Sequence, residues 1–161
     1  MKDITPCLWF DNEAEQAARY YCAIFKDSKI RSISYYGEAG QEQHRRAPGS
    51  VLAVDFELNG QPFCALNAGP QFKFTEAVSL QVPCDSQEEI DYYWDKLGAG
   101  SDPQAQMCGW LKDKYGLSWQ VFPHELPDML RDPDRERAGR AMTAMMGMRK
   151  IDLAAVRKAY G

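Results

Sequence analysis

The stretch CGWLKDKYGLSWQVFP, residues 108–123, decides the fold of this chain because two short apolar runs flank a tight turn. Trp110 lies in the first run, a Lys-Tyr-Gly turn follows, and Trp119 and Val121 occupy alternate positions of the second run. This alternation predicts a half-buried β-strand, so the stretch predicts two short strands joined by a turn. Trp119 and Val121 then pack under helices, and Gln120 between them points to the opposite face of the sheet.

The sequence before this stretch predicts a first unit of strands and one helix. Apolar alternation predicts strands at 4–10, around 33–35, at 51–58 and at 61–67, with the helix after the first strand. The dipeptide Asn59-Gly60 supplies the positive φ angles of a two-residue hairpin. The last two of these strands are therefore expected to pair.

Two helices are predicted from the residues that begin them. Asn12 precedes Glu15 by three positions, and Ser86 precedes Glu89 by three positions. This spacing is typical of a capping box, in which the first side chain accepts a hydrogen bond from a backbone N–H of the first turn. Apolar residues at helical spacing follow both pairs, so an amphipathic helix is expected after each.

The second half of the chain repeats the element order of the first half. Asp85 follows Asp11 by 85 − 11 = 74 residues, and Glu89 follows Glu15 by 89 − 15 = 74 residues. Further strands are predicted at 77–82, 104–106, 108–112 and 118–122. An internal repeat of this length predicts two copies of one structural unit.

The repeat predicts one domain, residues 1–125, made of two βαβββ modules at about 1–70 and 71–125. Each module has a sheet with one apolar face and too little chain to cover it. The two modules are therefore expected to form one curved mixed sheet with helices outside, a fold of the α+β class. We call the concave face of this predicted sheet the cup.

Residues 126–161 are predicted to form a helical tail. Asp132-Pro133 has the order of an N-cap and a first-turn proline, and a second helix is expected after Asp152. An apolar stripe at helical spacing comprises Ala138, Ala141, Met142, Met145 and Met148. Because both modules are complete before this stripe, it is expected to cover its own sheet or a partner subunit, and we predict a homodimer.

Composition and charge limit the partners of this chain. It has 161 residues and a net charge of −4, and it contains no run approaching the roughly 20 apolar residues of a membrane span. No nucleic-acid or membrane partner is therefore expected. The N-terminal sequence lacks the basic-then-apolar order of a signal peptide. The five cysteines form no CxxC pair, which predicts free thiols in the cytoplasm.

Four stretches that span nearly the whole chain resemble one known family. They are ITPCLWFDNEAEQAARYYCAIF (4–25), VSLQVPCDSQEEIDYYWDKL (78–97), the 108–123 stretch and AMMGMRKIDLAAVRKAY (144–160). These stretches are similar to the vicinal oxygen chelate superfamily of glyoxalase, bleomycin resistance and extradiol dioxygenase proteins. The resemblance is strongest to its PhnB-like or demethylubiquinone methyltransferase-like branch, and it implies a ligand site inside the cup.

In metal-using members, the resemblance implies a histidine on the first strand of each module and an acid on the last. The matching positions here are Pro6 or Cys7, Asn67, Glu76 or Ala77, and Gln120. Neutral amides are weak ligands for Zn²⁺ or Fe²⁺, and both histidines, His44 and His124, lie outside the predicted strands. No metal and no other cofactor is therefore expected. The chain also lacks the Gly-rich strand-to-helix turn with which methyltransferases bind S-adenosylmethionine.

Strand parity predicts a ligand site in the cup. No residue of the sequence is identified as catalytic. Ser79 and Gln81 alternate with apolar residues, as Ser118 and Gln120 do, so both strands direct small polar side chains to one face. The predicted ligand-binding residues are Phe10, Asn67, Ser79, Gln81, Trp110, Ser118 and Gln120.

Other reactive residues are expected to have structural or solvent-exposed positions. Cys7, Cys64 and Cys108 have no neighbouring histidine in a motif and are expected to be buried thiols. Asp55 and Glu57 share the polar face of a predicted strand and are expected to be solvated.

Three classes of function are consistent with these patterns. The first is a metal-independent small-molecule binding protein of the superfamily. The second is a lyase, isomerase or dioxygenase that uses a metal held by atypical ligands. The third is an interaction module whose dimer surface is its function. Metal content distinguishes the second class from the first, and a ligand-shaped cavity distinguishes the first from the third.

Overall fold

The computed structural model describes residues 4–161, and the first three residues of the predicted first module lie outside this range. The chain forms two compact units, one ending at Lys73 and the other beginning at Phe74. The first unit contains a four-stranded mixed sheet, and the second contains a three-stranded mixed sheet and a helical C-terminal part. The predicted α+β class is therefore confirmed. The joining of the two sheets into one cup stays a prediction.

The first unit has one long helix beside its sheet. Its elements are β1 (Cys7–Phe10), α1 (Ala14–Ile24), β2 (Lys29–Tyr35), α2 (Gln41–His44), β3 (Val51–Leu58) and β4 (Gln61–Asn67). The strand order is β1-β4-β3-β2, with β1 parallel to β4 and the other pairs antiparallel. Asn59 and Gly60, with φ angles of 48° and 77°, join β3 to β4 as the predicted hairpin.

The core of the first unit lies between α1 and one face of the sheet. Small residues on α1, with Ala17 and Ala18 fully buried, allow the helix backbone to approach the strands. Tyr21 stacks on Phe56 of β3 with ring centroids 6.5 Å apart. Burial of an aromatic side chain of this size contributes about 2 kcal/mol. The apolar stripe predicted from helical spacing therefore holds α1 against the sheet.

Helix α1 does not begin with the predicted Asn12 and Glu15 capping box. The N-cap residue is Glu13, and it makes no side-chain capping bond. The Ala14 N–H instead donates to Oδ1 of Asn67, 2.8 Å away. An amide from the end of β4 therefore caps the helix, which a pattern within the helix sequence does not reveal.

Cys64 and Cys108 are half-buried where buried thiols were expected, and Cys7 and Glu57 differ further from their expected positions. Cys7 is exposed, because β1 turns only its even-numbered side chains toward α1. Glu57 is buried, because Arg31 and Lys29 of the neighbouring strand reach over it and pair with its carboxylate. The hydrogen bond from Arg31 holds the pKa of Glu57 below its usual value.

The second unit begins with a strand and a helix and ends with three helices. Its elements are β5 (Ser79–Cys84), α3 (Gln87–Gly98), β6 (Trp110–Lys112), β7 (Ser118–Pro123), α4 (Leu126–Leu130), α5 (Arg135–Met146) and α6 (Leu153–Tyr160). The strand order is β5-β7-β6, with β5 parallel and β6 antiparallel to β7. Ser86 caps α3 by accepting a bond from the Glu89 N–H, as predicted.

The strand predicted at 104–106 is wrong. Residues Pro103–Ala105 form a short 3₁₀-helix, so this unit has three strands where four were predicted. Pro103 fixes a φ angle that suits the first helical position, and the Asp102 side chain accepts a bond from the Gln104 N–H. Both residues favour a helical turn over an extended chain.

Asp113 organises the turn of the 108–123 stretch. Its side chain is buried, and Oδ1 accepts bonds from the N–H groups of Tyr115, 2.8 Å away, and Leu117, 3.1 Å away. Its Oδ2 accepts a bond of 2.8 Å from Nε1 of Trp119. One carboxylate therefore fixes both the β6–β7 turn and the indole of β7.

The C-terminal helices pack on the second unit. Helix α5 begins after Asp134, whose side chain caps it, and not at the predicted Asp132-Pro133. Helix α6 begins after Asp152 as predicted. One buried cluster contains Leu126 of α4, Ala141 of α5, Val156 of α6 and Ile151, which precedes α6. Helix α4 was not predicted.

Among residues 4–161, no helix has the length and apolar character needed to cross a bilayer.

Candidate ligand-binding site

A cavity of about 630 Å³ lies in the second unit, and all of its lining residues belong to that unit. Strands β5, β6 and β7 form one wall, and helices α4 and α5 form another. The lining is mostly apolar with a few polar side chains, the composition of small-molecule sites, and the volume falls within their usual range. We call this space the β7 cavity.

The direction of β7 side chains agrees with the sequence prediction. Trp119 and Val121 are buried on the side of α3. Ser118, Gln120 and Phe122 alternate with them and line the β7 cavity. Gln120 therefore lies on the face opposite Trp119 and Val121, as the alternation predicted, but α4 and α5 cover this face, and its being the concave face of a joined sheet stays a prediction.

Gln120 is held by one hydrogen bond. Its Nε2 donates to Oγ of Ser79 on the parallel neighbour β5, 2.7 Å away. The amide oxygen forms no further bond within the described part of the chain and is an acceptor for a ligand. Gln81 is the register partner of Gln120 and adds a second amide to the same wall.

Ser118 carries a buried hydroxyl without a partner. The residue is 1% exposed, and its Oγ forms no hydrogen bond with any residue between 4 and 161. A buried polar group left unpaired costs about 1–3 kcal/mol, and native structures contain few of them. Ser118 lines the β7 cavity with its Oγ covered, so a rotation of the side chain toward that space would let a ligand with a hydrogen-bonding group remove this cost.

The wall opposite β7 is apolar and comes from the helical tail. Leu126 and Leu130 of α4 and Met145 of α5 line it. Met146 is 57% exposed at the rim, where its sulfur lies 3.7 Å from Sγ of Cys108. Methionine side chains adapt to the shape of an apolar ligand at low cost.

One ion pair lies at the edge of the β7 cavity. Nζ of Lys112 pairs with the Glu76 carboxylate, and both residues are among those that line the space. The hydrogen bond from Lys112 holds the pKa of Glu76 below its usual value. The two charges cancel, so the site has no net charge of its own and favours neutral or amphipathic ligands.

The structure brings five of the seven predicted ligand-binding residues together. Gln81, Trp110, Ser118 and Gln120 line the β7 cavity, and Ser79 is bonded to Gln120. Local sequence patterns did not identify the tail residues that line the opposite wall. The methionine stripe was visible, but its side chains belong to a separate segment whose packing partner no local pattern specifies.

The other two predicted residues lie in the first unit. Phe10 is 4% exposed and faces α1, so Trp9 is the β1 aromatic residue on the opposite face. Asn67 is buried, with Oδ1 accepting from Ala14 and Nδ2 donating to the Val51 carbonyl 3.1 Å away. These contacts favour structural roles, and a ligand-binding role for either residue stays a prediction.

The side chains present do not form a metal-binding set. Within residues 4–161, no three His, Cys, Asp or Glu side chains are grouped so that they could hold an ion. The polar groups of the β7 cavity are two amides, a hydroxyl and the Lys112–Glu76 pair. This donor chemistry suits hydrogen bonding to an organic molecule better than coordination of a transition metal.

The chain is similar to one family of known proteins over most of its length. The sequence model of the 3-demethylubiquinone-9 3-methyltransferase family matches residues 2–122. The helices of the tail, from α4 onward, follow the matched range. None of the curated proteins matches the chain at a significant level.

Two solved structures are similar to this chain. One, described as a 3-demethylubiquinone-9 3-methyltransferase and PhnB protein from Bacillus cereus, is 36% identical with a TM-score of 0.64. The match covers 75% of this chain and 99% of that protein. Protein PA1353 from Pseudomonas aeruginosa has a TM-score of 0.61 at 16% identity, over 76% of this chain and 98% of that one, and shows similarity of fold. The chain therefore belongs to the 3-demethylubiquinone-9 3-methyltransferase family.

Proposed function

We propose that this protein binds a small, neutral or amphipathic organic molecule in the β7 cavity without a metal ion. The observation that carries the proposal is the buried, unpartnered Ser118 hydroxyl in an otherwise apolar space of about 630 Å³. An aromatic or alicyclic ligand with one hydrogen-bonding group complements both features. The proposal also assigns the chain to the vicinal oxygen chelate superfamily, with which its α+β fold is consistent.

The apolar wall supplies most of the binding free energy in this proposal. A ligand that buries 200–300 Å² of apolar surface gains roughly 5–8 kcal/mol before ordering costs are subtracted. Hydrogen bonds to Gln120 and Ser118 then fix its orientation, at about 1 kcal/mol each. Because ordering costs must still be subtracted from this sum, affinities no tighter than about micromolar are expected.

The proposal assigns binding and no reaction. The family name denotes methyl transfer, for which S-adenosylmethionine is the usual donor. The sequence lacks the Gly-rich strand-to-helix turn used by many enzymes for that molecule. The tail that forms the apolar wall also follows the matched range, so ligand selectivity in this chain is expected to differ from that of relatives without a similar tail.

We also propose that the protein is a cytoplasmic homodimer with the tail at or near the interface. Large apolar side chains of the second unit that are exposed include Met107, Met142 and Met146, at 62%, 43% and 57%. Five free thiols support a reducing compartment. Light scattering at micromolar concentration should give twice the chain mass, and a stable monomer with a protease-resistant tail would contradict this assignment.

The test of ligand binding uses Nile red, a neutral aromatic dye that fluoresces in apolar surroundings. The wild-type protein should bind one dye per chain saturably. Ala105→Trp places a large ring in the wall of the β7 cavity and should weaken binding at least tenfold. Ala99→Trp, exposed at the end of α3 and outside the cavity, is the matched control and should bind normally. Equal dye binding by both variants would refute the proposed site.

A further inference from the structure

Two cysteines of the first unit are direct neighbours on parallel strands. Cys7 of β1 pairs in register with Cys64 of β4, and the Cys64 N–H donates to the Pro6 carbonyl at 2.9 Å. Paired positions of adjacent strands lie about 4.8 Å apart, within the Cα separation that a disulfide spans. The next residues along the two strands, Leu8 and Ala65, face the core. Both thiols therefore project from the opposite face of the sheet.

The two thiols have different environments. Cys7 is exposed, whereas Cys64 is half-buried between Cys7 and Asp55, its partner on β3. Burial, with contributions from Cys7 and Asp55, raises the pKa of the Cys64 thiol to about 12. Cys64 is therefore protonated at neutral pH and serves as a hydrogen-bond donor to its neighbour.

We propose that Cys7 and Cys64 form a reversible, peroxide-sensitive disulfide within one chain. Cys7, the accessible member, reacts as thiolate with hydrogen peroxide, which gives the Cys7 sulfenic acid and releases hydroxide. Cys64 then attacks Sγ of Cys7, the S–S bond forms, and the Cys7 hydroxyl leaves with the Cys64 proton as water. Two thiols are oxidised by two electrons in total, and one peroxide is reduced to two water molecules.

The other cysteines are not arranged for this reaction. Burial raises the pKa of Cys84 to about 12, and it also raises the pKa of Cys22. Cys22 lies on helix α1, and Cys84 of β5 has Pro123 of β7 as its register partner. Cys108 precedes β6, and its Sγ lies 3.7 Å from the sulfur of Met146. One specific pair is therefore expected among five thiols.

The experiment oxidises the full chain with hydrogen peroxide and counts thiols by alkylation in denaturant, followed by peptide mapping. The wild type should lose two alkylated thiols of five, with a Cys7–Cys64 linked peptide that dithiothreitol releases. Cys64→Ser should form no link and should carry a Cys7 sulfenic acid that dimedone traps. Cys108→Ser is the matched control and should still form the link.

Three results would overturn the proposal. They are a link that uses any other cysteine, oxidation of Cys7 to the sulfinic acid without a link in the wild type, and five thiols still free after treatment. Circular dichroism of each variant establishes that it is folded before oxidation. Since serine differs from cysteine by one atom and Cys7 is exposed, Cys7→Ser provides a second variant that should abolish the link without unfolding the protein.

Discussion

Asn67 and Gln120 are amides on the last strands of the two sheets, and the structure uses them in opposite ways. Each strand runs parallel to the first strand of its unit, so that Asn67 lies opposite Phe10 and Gln120 lies opposite Gln81. Asn67 is buried and bonded at both ends of its amide. Gln120 is half-buried, lines a cavity and makes a single bond.

The difference follows from strand parity. Phe10 and Asn67 lie on the face of their sheet that meets α1, whereas Gln81 and Gln120 lie on the face turned away from α3. A shift of one residue moves a side chain from one face of a strand to the other. Equivalent places in a repeated module therefore do not imply equivalent roles. In the first unit the face away from α1 carries Cys7 and Cys64 instead.

The largest effect is expected for Asn67→Ala. This change leaves the Ala14 N–H and the Val51 carbonyl without partners and should lower the free energy of unfolding by about 3 kcal/mol. Urea denaturation measures the loss. The matched control is Asn12→Ala, the exposed residue of the predicted capping box, which should cost less than about 0.5 kcal/mol. Equal losses would show that Asn12 caps α1 after all.

Gln120→Glu should affect binding more than folding. A carboxylate in the apolar cavity must be desolvated and loses the donor to Ser79, so Nile red binding should weaken by at least about tenfold. The same change should not create a metal site, because no histidine lines the cavity. Gln104→Glu, on the exposed 3₁₀-helix, is the control and should bind dye normally. Tight, stoichiometric zinc binding by the Gln120→Glu variant would contradict the account.

Ser118 and Ser79 are register partners on adjacent strands, so the effects of removing each hydroxyl on stability can be compared directly. Both effects are expected to be small. Ser79 is bonded to Gln120, whereas Ser118 has no partner in the described chain. Ser118→Ala should leave stability unchanged or raise it by up to about 1 kcal/mol, and Ser79→Ala should lower it by about 1 kcal/mol. Thermal denaturation of both variants checks the signs. A marked loss of stability for Ser118→Ala would show that its hydroxyl is satisfied.

No effect is expected from divalent metal ions. A ligand that binds only the native state raises the melting temperature, and the donor set of the β7 cavity gives zinc, nickel, manganese or ferrous ions no such site. Calorimetric scans with and without each ion should therefore coincide. A reproducible rise that Gln120→Ala removes would assign Gln120 to a metal site.

Local patterns in the sequence predicted those features that depend on neighbouring residues. The orientation of Gln120 followed from alternation with Trp119 and Val121, and the Asn59-Gly60 hairpin followed from turn chemistry. Ser86 was identified as a helix cap from its spacing to Glu89. These features need only the geometry of one element, which the sequence carries directly.

Features that depend on contacts between distant segments were missed. The capping of α1 by Asn67 joins residues 53 positions apart, and the pairing of Cys7 with Cys64 depends on which strands are neighbours. The apolar wall formed by α4 and α5 depends on how the tail packs. The 3₁₀-helix was missed for a different reason. Asp102-Pro103 is a local cue for a helical turn, but the strand prediction for 104–106 was given more weight.

Native mass spectrometry of the wild-type protein with one equivalent of Nile red per chain reports dye, metal and subunit number together. We expect one dye per chain, no stoichiometric metal mass, and loss of the dye adduct in Ala105→Trp but not in Ala99→Trp. A chain that carries one divalent ion lost on Gln120→Ala, or a dye adduct that survives Ala105→Trp, would contradict a metal-independent ligand site in the β7 cavity.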